Sequence, residues 1–407
     1  MTPLSRRGFV ASLGGLGVGG AARGARPNVL LLCADGLRPR LGCYGHPEML
    51  TPNIGRLAPE GRRFTRHYVQ SAVYGPSRCS LLTGKRINSS DCWKGPRGQA
   101  SEPAEPASFA HLFRRHGYPT VCIGKVSHQP GGVMDEEQRV RQAPLDEPML
   151  LFEAADVGDD GHADGLNAEA AIKQLEDLKG RGQPVLLAAG FHKPHLPFNA
   201  PRRYWDLHPA EKSGWASNAR PPEGVDPAIS LHRGFEVTTH YQWPAGEGNI
   251  GKEDALTLRR GYFACVSYID AQTGRVLSAL RRLELDGNTI VALWSDHGWR
   301  PAEHGMFSKQ TNFEAAARSP LIIRVPGMPE PGAAAAGPTH GAGVPHGPLP
   351  PGRLDEAGWR SGASRVVRPP RRSRGERQRR LETSRGGETP VAKGAGHAVA
   401  GGDNVVR

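Results

Sequence analysis

Five largely apolar runs punctuate the chain: Asn28 to Ala34, Thr120 to Ile123, Pro184 to Gly190, Thr289 to Trp294, and Ser319 to Gly327. Continuous rather than alternating apolar character predicts strands buried on both faces, as in a parallel sheet. Between them, Phe109 to Gly117 reads as a helix. From Lys252 to Leu285, the residues Leu256, Tyr262, Val266, Ile269, Val276 and Leu280 recur at helical spacing, and Asp286-Gly287-Asn288 closes the helix with turn chemistry. Another helix is expected after the Gly75-Pro76 turn, with Ser77 as N-cap and Ser80-Leu81-Leu82 opening its apolar run. Strands alternating with helices predict an α/β fold, and 407 residues allow one large domain, or one large and one small. Asp156 to Ala163 and Ser213 to Gly248 lack either period and read as surface loops, where selectivity resides.

In α/β folds the chemistry gathers just past the carboxyl ends of the strands. Asp35 closes the first run, and Lys125 and His128 follow the second. The third delivers His192 and His195 in a loop stiffened by Pro194 and Pro197, which suits holding a histidine in one orientation; the family resemblance given below implies that His192 faces the chemistry and His195 is structural. The fourth ends in Asp296-His297, with Glu303, His304 and Lys309 beyond it. Carboxylates and an imidazole suit a divalent cation. Lysines, histidines and the fork of Arg78 suit the oxygens of a sulfate or phosphate, as does a helix N-terminus. Each group also has a plainer reading. Asp35 could cap a turn, Lys125 and His128 could be solvated surface, and Asp296-His297 could be a strand-end turn.

The string Tyr74-Gly-Pro-Ser-Arg78, followed by Leu82-Thr-Gly-Lys85, resembles the sulfatase signature Cys-x-Pro-Ser-Arg with Leu-Thr-Gly-Arg after it. Ala34-Asp-Gly-Leu-Arg-Pro-Arg40, Gly124-Lys-Val-Ser-His128, the segment Phe191 to Phe198 and Ser295-Asp-His-Gly298 match further motifs in family order. The Phe191 to Phe198 octet is similar to the iduronate-2-sulfatase branch. The resemblance implies the sulfatase and alkaline-phosphatase fold, a mixed, largely parallel sheet flanked by helices, followed by a small C-terminal subdomain. It implies hydrolysis of a sulfate ester, with a sulfated uronic-acid glycan as substrate. Asp35, Asp296 and His297 would hold one divalent ion, Ca²⁺ or Mg²⁺. Arg78, Lys125, His128, His192 and Lys309 would contact the sulfate, while Ser77, Glu303 and His304 would orient these groups. Two positions depart from the pattern: Gly36 stands where a second metal-binding Asp is usual, and Tyr74 stands at the nucleophile. In the family a formylglycine-generating enzyme oxidises that Cys, which a tyrosine does not allow. The alternative is a non-catalytic binder of sulfated glycan.

Composition divides the chain. It holds 53 Gly and 36 Pro, only 38% hydrophobic residues, and a net charge of +12. Much of this excess lies after Pro329, where apolar periodicity ends and Trp359 is the sole aromatic residue. The expected organisation is a twin-arginine export signal over 1–26, around Arg6-Arg7, a catalytic domain over 27–329, and a basic low-complexity tail over 330–407. The tail reads as disordered, or as GC-rich coding DNA in a shifted frame from about codon 330, with the subdomain lost. It carries no recognition module, so nucleic acid is excluded as the expected partner. The N-terminal apolar stretch is too short to span a membrane, and the signal places the protein in a bacterial periplasm. Six Cys (33, 43, 79, 92, 122 and 265) show no metal-binding spacing and are expected to be free, buried thiols.

Overall fold

The strand that begins at Asn28 pairs on both sides with parallel neighbours, and the rest of the main sheet is added outward from it. The computed structural model describes residues 26–87, 108–127, 136–138, 149–224, 241–242 and 252–340. Contacts divide the chain into Met1–Trp359 and Arg360–Arg407, and every described residue lies in the first unit. The N-terminal signal, His128 and the tail from 341 onward lie outside the described residues.

In chain order the main elements are β1 (Asn28–Asp35), α1 (Pro52–Glu60), β2 (Arg62–Phe64), α2 (Tyr74–Thr83), α3 (Phe109–Arg115), β3 (Thr120–Gly124) and β4 (Glu136–Gln138). There follow α4 (Ala163–Lys179), β5 (Leu186–Pro194), α5 (Lys252–Arg282), β6 (Thr289–Ser295), β7 (Leu321–Arg324) and β8 (Ala334–Ala335). The sheet order is β8-β2-β7-β6-β1-β5-β3-β4. The five strands from β6 to β4 run parallel, while β7 is antiparallel to both β6 and β2. The expected mixed, largely parallel sheet is therefore the one observed.

Alternation along the strands sends two apolar faces to two layers. Leu30 and Leu32 of β1, Ile123, Leu187 and Leu293 pack with Ile54 of α1, Leu175 of α4 and Ile269 of α5. Leu31 and Cys33, with Leu186 and Trp294, face the opposite way onto Leu82 of α2 and Ala110 of α3. Each buried leucine contributes about 2 kcal/mol relative to exposure.

The long helix runs as its spacing predicts, with Tyr262, Val266, Ile269, Val276 and Leu280 buried. It stops at Arg282 because Glu284 adopts φ +57° and leaves the helical region. By contrast, α4 escapes the periodicity search. Apart from Leu175 and Leu178 near its end, its buried stripe is Asp164, Gly165, Asn167, Ala168, Ala171 and Gln174, and small or polar residues give a weak apolar signal. α2 also differs from expectation. It starts at Tyr74 with Val73 as cap residue, so Ser77 lies in its first turn and is not the N-cap. Pro76 fits there because first-turn N–H groups need no helical acceptor.

Backbone pairing continues past the composition change at Pro329. β8 lies beside β2, and Thr339–His340 pairs with His67–Tyr68. Where β3 and β5 end together, Gly124 sits at φ +69°, and a Cβ there would lie 2.2 Å from Gly190 O. Only glycine permits that approach.

The layer under α5 carries a pH-sensitive contact. His208 is buried, with Nε2 2.8 Å from Ser267 Oγ, and burial, then Arg260, pushes its pKa down to about 4. The unfolded chain therefore takes the proton first as pH falls, so the His208 contribution is intact above 6.5 and lost between 6.5 and 4. We expect the stability advantage of the parent over His208→Gln to shrink by about 3 kcal/mol across that window. Urea midpoints at several pH values measure it, and a constant gap would show that His208 does not titrate this way.

Candidate active site

Four parallel strands deliver the site because their carboxyl ends lie side by side. Ala34 is in register with Ser295, and Asp35 with Pro194. Asp35 closes β1, Asp296 and His297 follow β6, His192 lies near the end of β5, and Lys125 follows β3. Asp296 is pinned from several sides. Its Oδ1 accepts from Gly36 N at 3.1 Å, its Oδ2 from Arg78 Nε at 2.8 Å, and its carbonyl from Ser77 Oγ. Ser77 thus does orient a candidate metal ligand, from inside the helix.

Asp35, Asp296 and His297 are fully buried, and one ligand atom from each falls within 4.8 Å of the others. Asp35 Oδ1 and His297 Nε2 lack hydrogen-bond partners among the described residues, a costly state for buried polar atoms. His297 Nδ1 meets Gly298 O at 2.8 Å, which leaves Nε2 for the carboxylates. This donor set fits a hard divalent cation, short of the six or more oxygens such an ion prefers. Gly36 explains part of the shortfall. It has φ +75°, and a Cβ on it would point toward His297, 3.4 Å from Cε1.

The expected fork of Arg78 is largely spent within the protein, with Nη2 alone making no hydrogen bond. Nη1 donates to Lys125 O at 2.6 Å and Val126 O at 2.8 Å, Nε is held by Asp296, and Nη2 lies 3.7 Å from Asp35 Oδ2. Its Cζ stands 5.7 Å from the Trp294 ring. With no exposed surface, Arg78 neutralises the two carboxylates and ties α2 to the strand ends. Lys125 also reaches inward, with Nζ 2.5 Å from Asp35 Oδ2.

Tyr74 stands over this floor. Its ring centroid is 5.1 Å from Lys125 Nζ and 4.8 Å from Lys309 Nζ, so both ammoniums use its π-face. Lys309 Nζ also meets His195 Nε2 and lies 5.4 Å from the Trp299 ring. His195 is thus a pocket residue, 6.3 Å ring-to-ring from both Tyr74 and His297, where sequence reasoning made it structural. Trp299 and Asp164 escaped that reasoning altogether. Asp164 accepts from His192 N and Lys193 N, each at 2.8 Å, and so shapes the histidine loop. Nothing in its acidic, Gly-rich neighbourhood marks it in the sequence.

Glu303 and His304 are not where they were expected. The Glu303 carboxylate accepts from Arg38 at 2.6 Å, and the His304 ring packs on Phe313 at 4.7 Å, with Nδ1 3.1 Å from Arg220 O.

The electrostatics follow from burial against paired charge. Burial alone would raise the Asp35 carboxyl, but Lys125, His195, Arg78 and His297 together hold it well below the usual carboxylate range. Burial pushes His297 down to about 4, and the pull of Asp296 does not restore it. Burial, with Lys125 and Lys193, keeps His192 neutral. The pocket floor is therefore two carboxylates, their internal counter-charges and neutral imidazoles. Lys125 and Lys309 form its cationic rim.

Cys79 is disulfide-bonded, contrary to the expected free thiol, and its partner lies outside the described residues. The four other described cysteines, Cys33, Cys43, Cys122 and Cys265, are free.

The profile of the Sulfatase family matches residues 27–346. Iduronate 2-sulfatase from Homo sapiens is 33% identical over 338 residues, covering 75% of this chain and 61% of that protein. Choline-sulfatase from Rhizobium meliloti is 27% identical, covering 74% and 63%. The chain thus spans about six-tenths of the length of these relatives. Among solved structures, phosphonate monoester hydrolase of Agrobacterium radiobacter superposes with TM-score 0.66 at 23% identity, covering 78% of this chain and 72% of the other. A protein solved with its substrate D-glucosamine-2-N,6-O-disulfate gives TM-score 0.62 at 23% identity, covering 78% and 74%.

Restoring a carboxylate beside the triad should strengthen cation binding. In Gly36→Asp the left-handed backbone is tolerable for Asp, and we expect Ca²⁺ affinity by calorimetry to rise about tenfold or more. Unchanged affinity would separate Gly36 from the metal. Asp164→Ala should strip two backbone donors of their acceptor and cost about 2–4 kcal/mol in chemical unfolding. A cost under about 1 kcal/mol would mean that the histidine loop holds itself.

Proposed function

Because the chain belongs to the sulfatase family, we propose that its pocket takes the sulfate ester of a uronic-acid-containing glycan. Hydrolysis is the reaction it is built around. The observation that carries this reading is the ring of Asp35, Asp296 and His297 under Lys125 and Lys309, with Tyr74 at the nucleophile position. The iduronate-type substrate rests on the 33% identity to iduronate 2-sulfatase.

Lys125 and Lys309 hold the sulfate oxygens and balance charge as it builds on them. His192, neutral in the resting pocket, hydrogen-bonds the ester oxygen. Arg78 keeps Asp35 and Asp296 ionised and in place. Asp35, Asp296 and His297 would hold the divalent ion, Ca²⁺ or Mg²⁺, which when bound polarises the sulfate as a Lewis acid.

Tyr74 limits the reaction. Its phenol has no route to the formylglycine hydrate, and its ring fills space between the two lysines that a sulfate group needs. That placement supports a second reading, a non-catalytic receptor for sulfated glycan. The Arg6-Arg7 motif and the Cys79 disulfide support export to an oxidising periplasm.

We expect Tyr74→Cys, produced with a formylglycine-generating enzyme, to release sulfate from an aryl sulfate at least about a thousandfold faster than the parent. A sulfated uronate disaccharide run alongside tests the substrate class. If both proteins stay inactive although folded and metal-loaded, catalysis fails as the reading. Calorimetric binding of the sulfated disaccharide, absent for its desulfated form, would then favour the receptor.

A further inference from the structure

Of the two cations that neutralise the pocket floor, one is fastened and one is free to change partner. Asp35 and Asp296 are met by Arg78 and Lys125, which lie within ion-pair distance of them. His297 brings no negative charge, and Gly36 adds no third carboxylate beside the trio. Among the described residues these carboxylates and cations therefore balance, two against two. A divalent ion held by Asp35, Asp296 and His297 adds two positive charges to groups that are fully buried. Uncompensated charge of that size is very costly in a low-dielectric interior. One of the protein's own cations has to withdraw.

The two are not equivalent. Arg78 has no exposed surface. Its Nη1 is bound to Lys125 O and Val126 O, and its Nε to Asp296, so moving it would break three hydrogen bonds. The Lys125 side chain makes one ion pair, Nζ to Asp35 Oδ2 at 2.5 Å, and keeps 20% of its surface open. Its backbone is fixed, with N donating to Gly190 O and O accepting from Arg78, while a flexible four-carbon stem carries the ammonium. That ammonium also lies 5.1 Å from the Tyr74 ring, which Lys309 approaches to 4.8 Å. Floor and rim are both within its reach.

We propose that Lys125 is a displaceable counter-ion, which leaves Asp35 when a divalent ion is held by Asp35, Asp296 and His297 and so becomes available to the anion above. Resting as it does on the sulfate reading, this couples the two ligands. Each favours the position of Lys125 that the other requires, so each tightens the other by the same factor. Once Lys125 has left, the floor with its ion carries one excess positive charge, which the single negative charge of a sulfate ester matches.

Acetylation of the full chain by acetic anhydride, read residue by residue by mass spectrometry, tests the displacement. Lys125 should be protected in EDTA and react about fivefold or more faster in saturating Ca²⁺, as its ion-paired population falls. Lys179, at the far end of α4 from Asp164, should not change. Inorganic sulfate titrated by calorimetry should bind about tenfold tighter with Ca²⁺ than without. Lys125→Met should remove most of that gain while tightening Ca²⁺ itself. Ca²⁺ binding with unchanged Lys125 labelling overturns the proposal and leaves the sulfate reading standing. Labelling that rises with Ca²⁺ while sulfate binds in neither condition keeps the displacement and overturns the sulfate reading. Ca²⁺ binding to neither the parent nor Lys125→Met overturns both.

Discussion

Two carboxylates buried without solvent, Asp35 and Asp296, dictate how the surrounding chain is arranged. Adjacent parallel strands bring them together, and neither can remain ionised there unless cations are supplied from the protein or from a bound metal. Arg78 meets both from α2, Lys125 reaches Asp35 from β3, and His297 stands between them. The helix, the third strand and the loop after the sixth are thereby fixed to one point. Take Arg78 away and two negative charges face each other in a low-dielectric interior with half their compensation gone.

The same economy accounts for the division between floor and rim. Arg78 gives Nε and Nη1 to Asp296 and two backbone carbonyls, which leaves Nη2 alone of its donor nitrogens without a hydrogen bond. Lys309, reached only after the Trp299 hairpin, turns to aromatic faces and to His195. Charge available to a ligand is therefore the charge that the fold has not already claimed.

Much of this was legible in the sequence, and the losses have physical reasons. The apolar runs ending at Asp35, Lys125, His192 and Asp296 gave the strands and the side on which their chemistry lies, because a parallel sheet leaves few alternatives. The trio of Asp35, Asp296 and His297 that could hold a metal was readable for the same reason. Hidden from the pattern were α4, whose buried face is small and polar until Leu175, and Asp164, whose role is to accept two amides from a strand further along the chain. The contacts of His195 with Lys309, Tyr74 and His297 were not legible, because sequence cannot say how each of two histidines in a stiff loop turns. Glu303 sits six residues beyond His297 but pairs with Arg38, and adjacency along the chain says nothing of that.

Two indoles sit beside the charges that matter most. Trp294 lies 5.7 Å from the Arg78 guanidinium and Trp299 lies 5.4 Å from the Lys309 ammonium. An indole's excited state responds to the field across it, so each ring registers a change in its neighbouring cation. The pocket floor and the pocket rim consequently carry separate optical reporters. In variants that keep only Trp294 or only Trp299 of the seven tryptophans, the metal proposed for the carboxylates and the anion proposed for the lysine would register as distinct fluorescence events, without labelling the protein.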